Sequence, residues 1–230
     1  MKKASRQPQQ QVMGFLRRGG KRPGAGRKPK GEKAGVPHGS RAKLSSRHPV
    51  HVTLKLERGL PGLRNKAAYR VLRRAFVGAN ARNGFRLCEY SVQGNHIHLI
   101  VEATDRTVLS KGMQGLGVRV ARGLNRLWKR TGRVFADRYH DRILRTPREV
   151  RNALAYVLNN ARRHRLGLRW AIDLFASGLW FDGWKEAGVS RTIQRPKERP
   201  TARARSWLLH CGWRRHGLIH IAEVPGGAGA

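Results

Sequence analysis

Val50, Val52, Leu54 and Leu56 alternate with His51, Thr53 and Lys55, a period of two that predicts a strand with one buried face, beginning near His48. Leu60-Pro61-Gly62 breaks that pattern. From Leu63 to about Asn80 apolar side chains recur at Ala67, Ala68, Val71, Leu72, Ala75 and Phe76, the spacing of a helix. Two further strands, Phe85 to Val92 and His96 to Ala103, flank the turn residues Gln93-Gly94-Asn95 and predict a hairpin. A longer, arginine-rich helix is expected from Thr107 to about Arg130, with Val108, Met113, Leu116, Val120, Leu124, Leu127 and Trp128 on its apolar side and internal glycines weakening it. A short extended run through Tyr139, Asp141, Ile143 and Leu144 precedes a last helix. Thr146 is its cap, Pro147 its first residue and Glu149 its capping-box partner, and it is expected to reach about His164.

The order strand, helix, strand, strand, helix, strand, helix is that of an α+β, ferredoxin-like (split βαβ) antiparallel sheet with an appended helix. That topology places the first and third strands side by side, with His51, Thr53 and Lys55 beside His96 and His98 on one face. Ile97 then belongs to the core, and Cys88, Tyr90 and Val92 are expected to face away from the histidines. The two intervening helices cover the apolar face, and the last helix is left to close over the histidines. Residues 48–165 form the domain so predicted. Residues 1–47, rich in Gln, Gly, Pro, Lys and Arg, read as a flexible basic tail. Residues 166–230 read as a C-terminal extension: an aromatic strap of Trp170, Phe175, Trp180, Phe181 and Trp184, then a short helix from Ala202 to Gly212.

Charge narrows the partner. The 230 residues hold 49 Lys and Arg against 13 Asp and Glu, a net charge of +36, which repels itself unless a polyanion offsets it. Nucleic acid is the leading class, an anionic membrane surface or a ribosomal niche the alternative. Absence of a long apolar run or leader segment predicts a soluble, cytoplasmic protein with no membrane partner. Arg119, Arg122, Arg126, Lys129 and Arg130 of the long helix, with Lys21, Arg22, Arg27 and Lys28 of the tail, are the candidate phosphate contacts; a merely solvated face is the competing reading. Cys88 and Cys211 make no disulfide framework or zinc ribbon and read as buried thiols.

His96-Ile97-His98 projects two imidazoles from one side of a strand, a pair of metal ligands or, in the plainer reading, polar decoration of a solvated face. Asn160 is the candidate third ligand. Two imidazoles and an amide oxygen suit Mg²⁺ or Mn²⁺ better than a structural zinc. Of the four tyrosines, Tyr156 is favoured as nucleophile because Asn160, Arg163 and His164 extend along the same helix, and Tyr139, among Asp137, His140 and Asp141, is the runner-up. Tyr69 lies near an apolar stripe and Tyr90 is expected in the core.

His96-Ile97-His98 resembles the His-hydrophobe-His motif of HUH single-strand nucleases, and Tyr156 with Asn160 resembles the tyrosine helix of their single-tyrosine transposases. From about His48 to Arg165 the chain is similar to the REP-associated tyrosine transposases, a branch of the IS200-like transposases, except that Ala161 stands where proline commonly follows the asparagine. The resemblance implies cleavage and rejoining of single-stranded, hairpin-forming DNA through a 5′-phosphotyrosine, with a divalent metal held by His96, His98 and Asn160. DNA is then the partner, with a homodimer an open option. Two alternatives remain: a non-catalytic single-strand DNA- or RNA-binding protein built on the same sheet, and a replication-initiator nuclease of the same superfamily.

Overall fold

The structure, a computed structural model, describes residues 41–163, 172–188 and 198–224. Strand β1 (Val50–Lys55), helix α1 (Lys66–Asn80), the hairpin of β2 (Phe85–Val92) and β3 (His96–Ala103), helix α2 (Arg106–Leu127), strand β4 (His140–Ile143) and helix α3 (Pro147–Leu158) follow one another as the periodicity predicts. The strands form one antiparallel sheet in the order β2-β3-β1-β4, so β1 and β3 are central. This is the ferredoxin-like arrangement.

Alternation accounts for the first face of the sheet. Val50, Val52 and Leu54 of β1 and Ile97, Leu99 and Val101 of β3 are buried against Leu72, Ala75 and Phe76 of α1 and Leu109, Met113, Leu116, Val120 and Leu124 of α2. Asn65 and Asp105 cap these two helices, each side chain accepting the N–H three residues on. Two of the glycines in α2 have a packing reason. A Cβ at Gly112 would lie 2.3 Å from the Phe85 ring, and one at Gly123 2.5 Å from Val71. Their missing side chains let β2 and α1 come close to the helix.

The second face is covered over β2 and β3 and stays partly open along β1 and β4. Helix α3 packs on β2 and β3. Its Val150, Leu154, Val157 and Leu158 share a second core with Ile100, Leu179, Phe181, Trp184, Leu208, Leu209, Trp213 and Ile219. The C-terminal stretch therefore supplies half of this layer. Main-chain bonds from Ala202 N–H to Leu87 O and from Val92 N–H to Phe175 O tie it to the edge strand, and Arg64 grips Asp173 at 2.9 Å.

Several expectations need correcting. A register shift between Leu87 and Glu89 inserts a bulge in β2, so Leu87 and Tyr90 face the first core while Cys88 turns into the second, on the histidine side. Cys211 is exposed, not buried. The aromatic strap is two groups. Phe181 lies 5.2 Å from Trp184 and 5.5 Å from Trp213, whereas Phe175 lies 5.0 Å from Tyr69 beside the first core. Trp170 lies outside the described residues. Helix α3 stops at Leu158: Asn159 leaves helical geometry, its side-chain amide donating to His220 O, and a new turn, α4 (Asn160–Arg163), begins. His164 lies outside the described residues. The expected helix from Ala202 narrows to α5 (Trp207–His210), followed by a 3₁₀ turn over Gly212–His216. Among the described residues no helix is long and apolar enough to cross a membrane.

Candidate active site

The pairing of β1 with its two neighbours sets out the site. Thr53 stands opposite His98 on one side and His140 on the other, Lys55 opposite His96, and His51 opposite Arg142. Residues directly opposed across strands share a face, so these side chains form one polar strip on the side covered by α3. Within it the His96 and His98 rings lie 4.8 Å apart and nearly perpendicular, and the His51 ring lies 5.3 Å from His98. Tyr156 comes down from α3 onto the same group, its ring edge-on at 5.0 Å from His98 and 5.7 Å from His51.

Protein contacts orient both imidazoles of the pair. His98 Nδ1 lies 3.2 Å from His51 Nε2 and 3.1 Å from Thr53 Oγ1, and His96 Nδ1 donates to Asn95 Oδ1 at 2.8 Å. Contacts of this kind at one ring nitrogen fix the tautomer of a histidine whose other nitrogen binds a metal. Burial, helped by the Arg142 cation across the strand, lowers the pKa of His51 to about 4, so this ring is neutral near pH 7.

Asn160 is fully buried, and neither its amide oxygen nor its amide nitrogen has a hydrogen-bond partner among the described residues. Such a group costs roughly 1–3 kcal/mol, and an amide oxygen in this condition is the hard donor that Mg²⁺ or Mn²⁺ accepts. No group of three or more His, Cys, Asp or Glu side chains among the described residues could hold a metal. The histidine pair therefore needs the amide if the protein is to offer three ligands. Asn160 does follow Tyr156 by four residues, but across the break at Asn159, so its placement does not come from one continuous helical face.

The remaining tyrosines are elsewhere. The Tyr69 and Tyr90 hydroxyls bond each other at 2.8 Å in the first core, where burial raises the Tyr69 pKa to about 12. Tyr139, the runner-up, packs against that same core with the Arg41 guanidinium 3.7 Å above its ring, on the face away from the histidines. Tyr156 is the one tyrosine in ring contact with the histidine group.

The candidate phosphate contacts separate in the same way. Arg119, Arg122, Arg126 and Lys129 are exposed, but they lie along or just past α2, on the other side of the sheet. Arg130 is occupied in closing the turn after α2, donating to the Asn125 side chain and to Arg133 O. Lys21, Arg22, Arg27 and Lys28 lie outside the described residues. The cations beside the histidines are Lys55, expected there, and Arg142, not singled out from the sequence although its alternation with His140 in β4 would have placed it. His51 was placed on this face without a role; its contact with both His98 and Tyr156 is what the sequence did not disclose.

Comparison with known proteins adds four findings. Residues 46–160 match the family model described as Transposase IS200 like, a span that includes His96, His98, Tyr156 and Asn160. No curated protein sequence matches the chain. A solved structure of a REP-associated tyrosine transposase bound to a REP hairpin is similar with a TM-score of 0.50 and 14% identity, over 62% of this chain and 82% of that one, a likeness of fold. A second, of a candidate transposase from Deinococcus radiodurans R1, has a TM-score of 0.36 and 18% identity over 46% of this chain and 82% of that one, too distant to bear on the fold.

Proposed function

The chain belongs to the IS200-like transposase family, and on that footing we propose that it cleaves and rejoins single-stranded, hairpin-forming DNA through a tyrosine ester. Tyr156 is the nucleophile, and His96, His98 and Asn160 hold Mg²⁺ or Mn²⁺. The observation that carries this reading is the approach of the Tyr156 ring to 5.0 Å from the His98 ring, two groups brought from separate elements onto a covered face. The REP hairpin bound by the protein of similar fold supports a hairpin as substrate. The cytoplasm, on nucleoid DNA, is the place of action that this implies.

When bound, the cation polarises the scissile phosphate. Tyr156 Oη bonds to phosphorus as the P–O3′ bond breaks. The phenol proton is lost to solvent and the departing oxygen takes one up, leaving a 5′-phosphotyrosine and a 3′-hydroxyl. Because the ester conserves the phosphodiester, a second 3′-hydroxyl reverses the attack and joins strands without ATP. His51 and Thr53 hold the His98 ring in place, and Lys55 and Arg142 offset phosphate charge on either side.

The test is incubation of the full chain with end-labelled hairpin DNA and Mg²⁺ or Mn²⁺, followed by a denaturing gel. A covalent adduct is expected from the wild type and from Tyr139→Phe, and none from Tyr156→Phe, from His98→Ala or in EDTA. An adduct from Tyr156→Phe would displace the nucleophile. Hairpin binding without cleavage in either metal would make the chain a non-catalytic single-strand binder.

A further inference from the structure

At the end of the sheet remote from His96, the chain ahead of β1, the ends of β2 and β3, and α5 border an open cavity of about 550 Å³. Glu102, in its wall, lies four residues beyond His98 along β3 and points to the same side of the sheet. At about 3.3 Å per residue, the cavity begins roughly 13 Å along the strand from the histidine group.

Four guanidiniums line it: Arg47 from the approach to β1, Arg86 from β2, Arg145 after β4 and Arg205 before α5. Glu102 is buried beneath them and already committed, with Arg86 Nε at 3.5 Å and the N–H groups of Arg205 and Ser206 at 2.9 and 2.8 Å. Arg47, Arg145 and Arg205 are exposed, and none of their side chains is ion-paired among the described residues. Three such cations around one concavity repel each other unless an anion enters. Beside them stands Trp207, 49% exposed, its ring backed so closely by Gly212 that a Cβ there would lie 2.7 Å away. Arg215 sits 4.8 Å from the ring centroid. An indole held in place yet left half in water is a surface for another flat group.

We propose that this cavity is a second DNA subsite. It takes the sugar-phosphate backbone of a single strand on Arg47, Arg145 and Arg205, with an unpaired base against Trp207. A cavity of this size falls in the range of small-ligand sites and suits one or two nucleotides. A duplex keeps its base faces inside the stack and has none to offer the indole, which favours a single strand. The assignment of DNA rather than another polyanion rests on the strand-transfer reading above.

The experiment measures binding without cleavage, by fluorescence anisotropy of labelled oligothymidylate of about twenty residues with the full chain in EDTA, across a salt series. Arg145→Ala combined with Arg205→Ala is expected to weaken binding about tenfold or more. It should also lower the slope of log K against log salt by about 1.4, since each single-strand phosphate contact contributes about 0.7. Trp207→Leu is expected to weaken binding about tenfold with the slope unchanged. The charge-matched control, Arg70→Ala with Arg74→Ala, alters exposed residues of α1, the helix on the other side of the sheet. An equal loss in that control, an unaltered affinity in Trp207→Leu, or an equal loss for a blunt duplex of the same length would each overturn the proposal. Thermal melts of the variants, expected to match the wild type, separate loss of the subsite from loss of the fold. Failure here is distinct from failure of the strand-transfer reading. No adduct on hairpin DNA, with the arginine dependence intact, leaves the subsite standing; an adduct with unaltered oligothymidylate binding does the reverse.

Discussion

Asn160 has no exposed surface and no partner for either amide atom among the described residues, so in the metal-free protein it opposes folding. Asn160→Leu, close in shape and without the polar atoms, is expected to raise stability by about 1 kcal/mol in urea melts while abolishing the covalent adduct. A less stable leucine variant would mean that the amide is bonded after all. Glu89 is a second buried polar group, with a different remedy. Its carboxylate accepts from the Ser177 hydroxyl, and burial, which outweighs that bond, pushes its pKa up from 4.5 to about 8. Between those values the folded protein keeps a proton that the unfolded chain has released. The stability from this group is therefore fully present below pH 4.5 and is lost as pH rises through 8, by roughly 3–5 kcal/mol in all. Glu89→Gln cannot lose that proton, so melting curves of the two proteins are expected to diverge from pH 5 to pH 9, with the variant the more stable at the alkaline end. Parallel curves would show that Glu89 is ionised in the fold.

Helix α3 starts where its capping box dictates. Thr146 Oγ1 accepts the Glu149 N–H, and Glu149 Oε2 accepts the Thr146 N–H, both at 3.2 Å. That start sets the rotation of the helix and hence the direction in which Tyr156, three turns on, leaves it. Helix α2 shows that one residue type serves different ends within one element. Gly112→Ala would drive a Cβ into the buried Phe85 ring at 2.3 Å, and is expected to cost about 1–3 kcal/mol by overpacking. Gly117→Ala meets nothing nearer than Phe135 at 3.9 Å, and is expected to gain about 0.5–1 kcal/mol from helix propensity. Chemical denaturation of the two variants checks both signs. A gain at Gly112 would mean that β2 and α2 can separate without loss.

Two cores share a single sheet, and the chain that completes the second comes from well beyond the tyrosine helix. Trp213, 1% exposed and stacked on Phe181 at 5.5 Å, joins the C-terminal turn to the layer that holds α3 in place. Trp213→Ala is expected to cost about 3–5 kcal/mol and to lower adduct formation with it, because α3 loses its backing. Unfolding midpoints together with the labelled-hairpin gel check this; full cleavage by a destabilised variant would show that α3 is held by the sheet alone. Much of the architecture was legible from the residues. Strand alternation, helical spacing and the capping box are properties of neighbours in the chain, so the element order, the central β1–β3 pair and the common face of His96 and His98 could be read directly. Local pattern was silent where contact is long-range. The bulge that turns Cys88 over depends on how β2 pairs with β3. The third imidazole reaches His98 from 47 residues away. Tyr156 was already favoured from its neighbours along the last helix, but what brings its ring to the histidines is packing, since the other three tyrosines rest against the first core while α3 carries its phenol over the other face. Periodicity says which side of an element is apolar; which element lies against that side is decided by the burial available once the whole chain has collapsed.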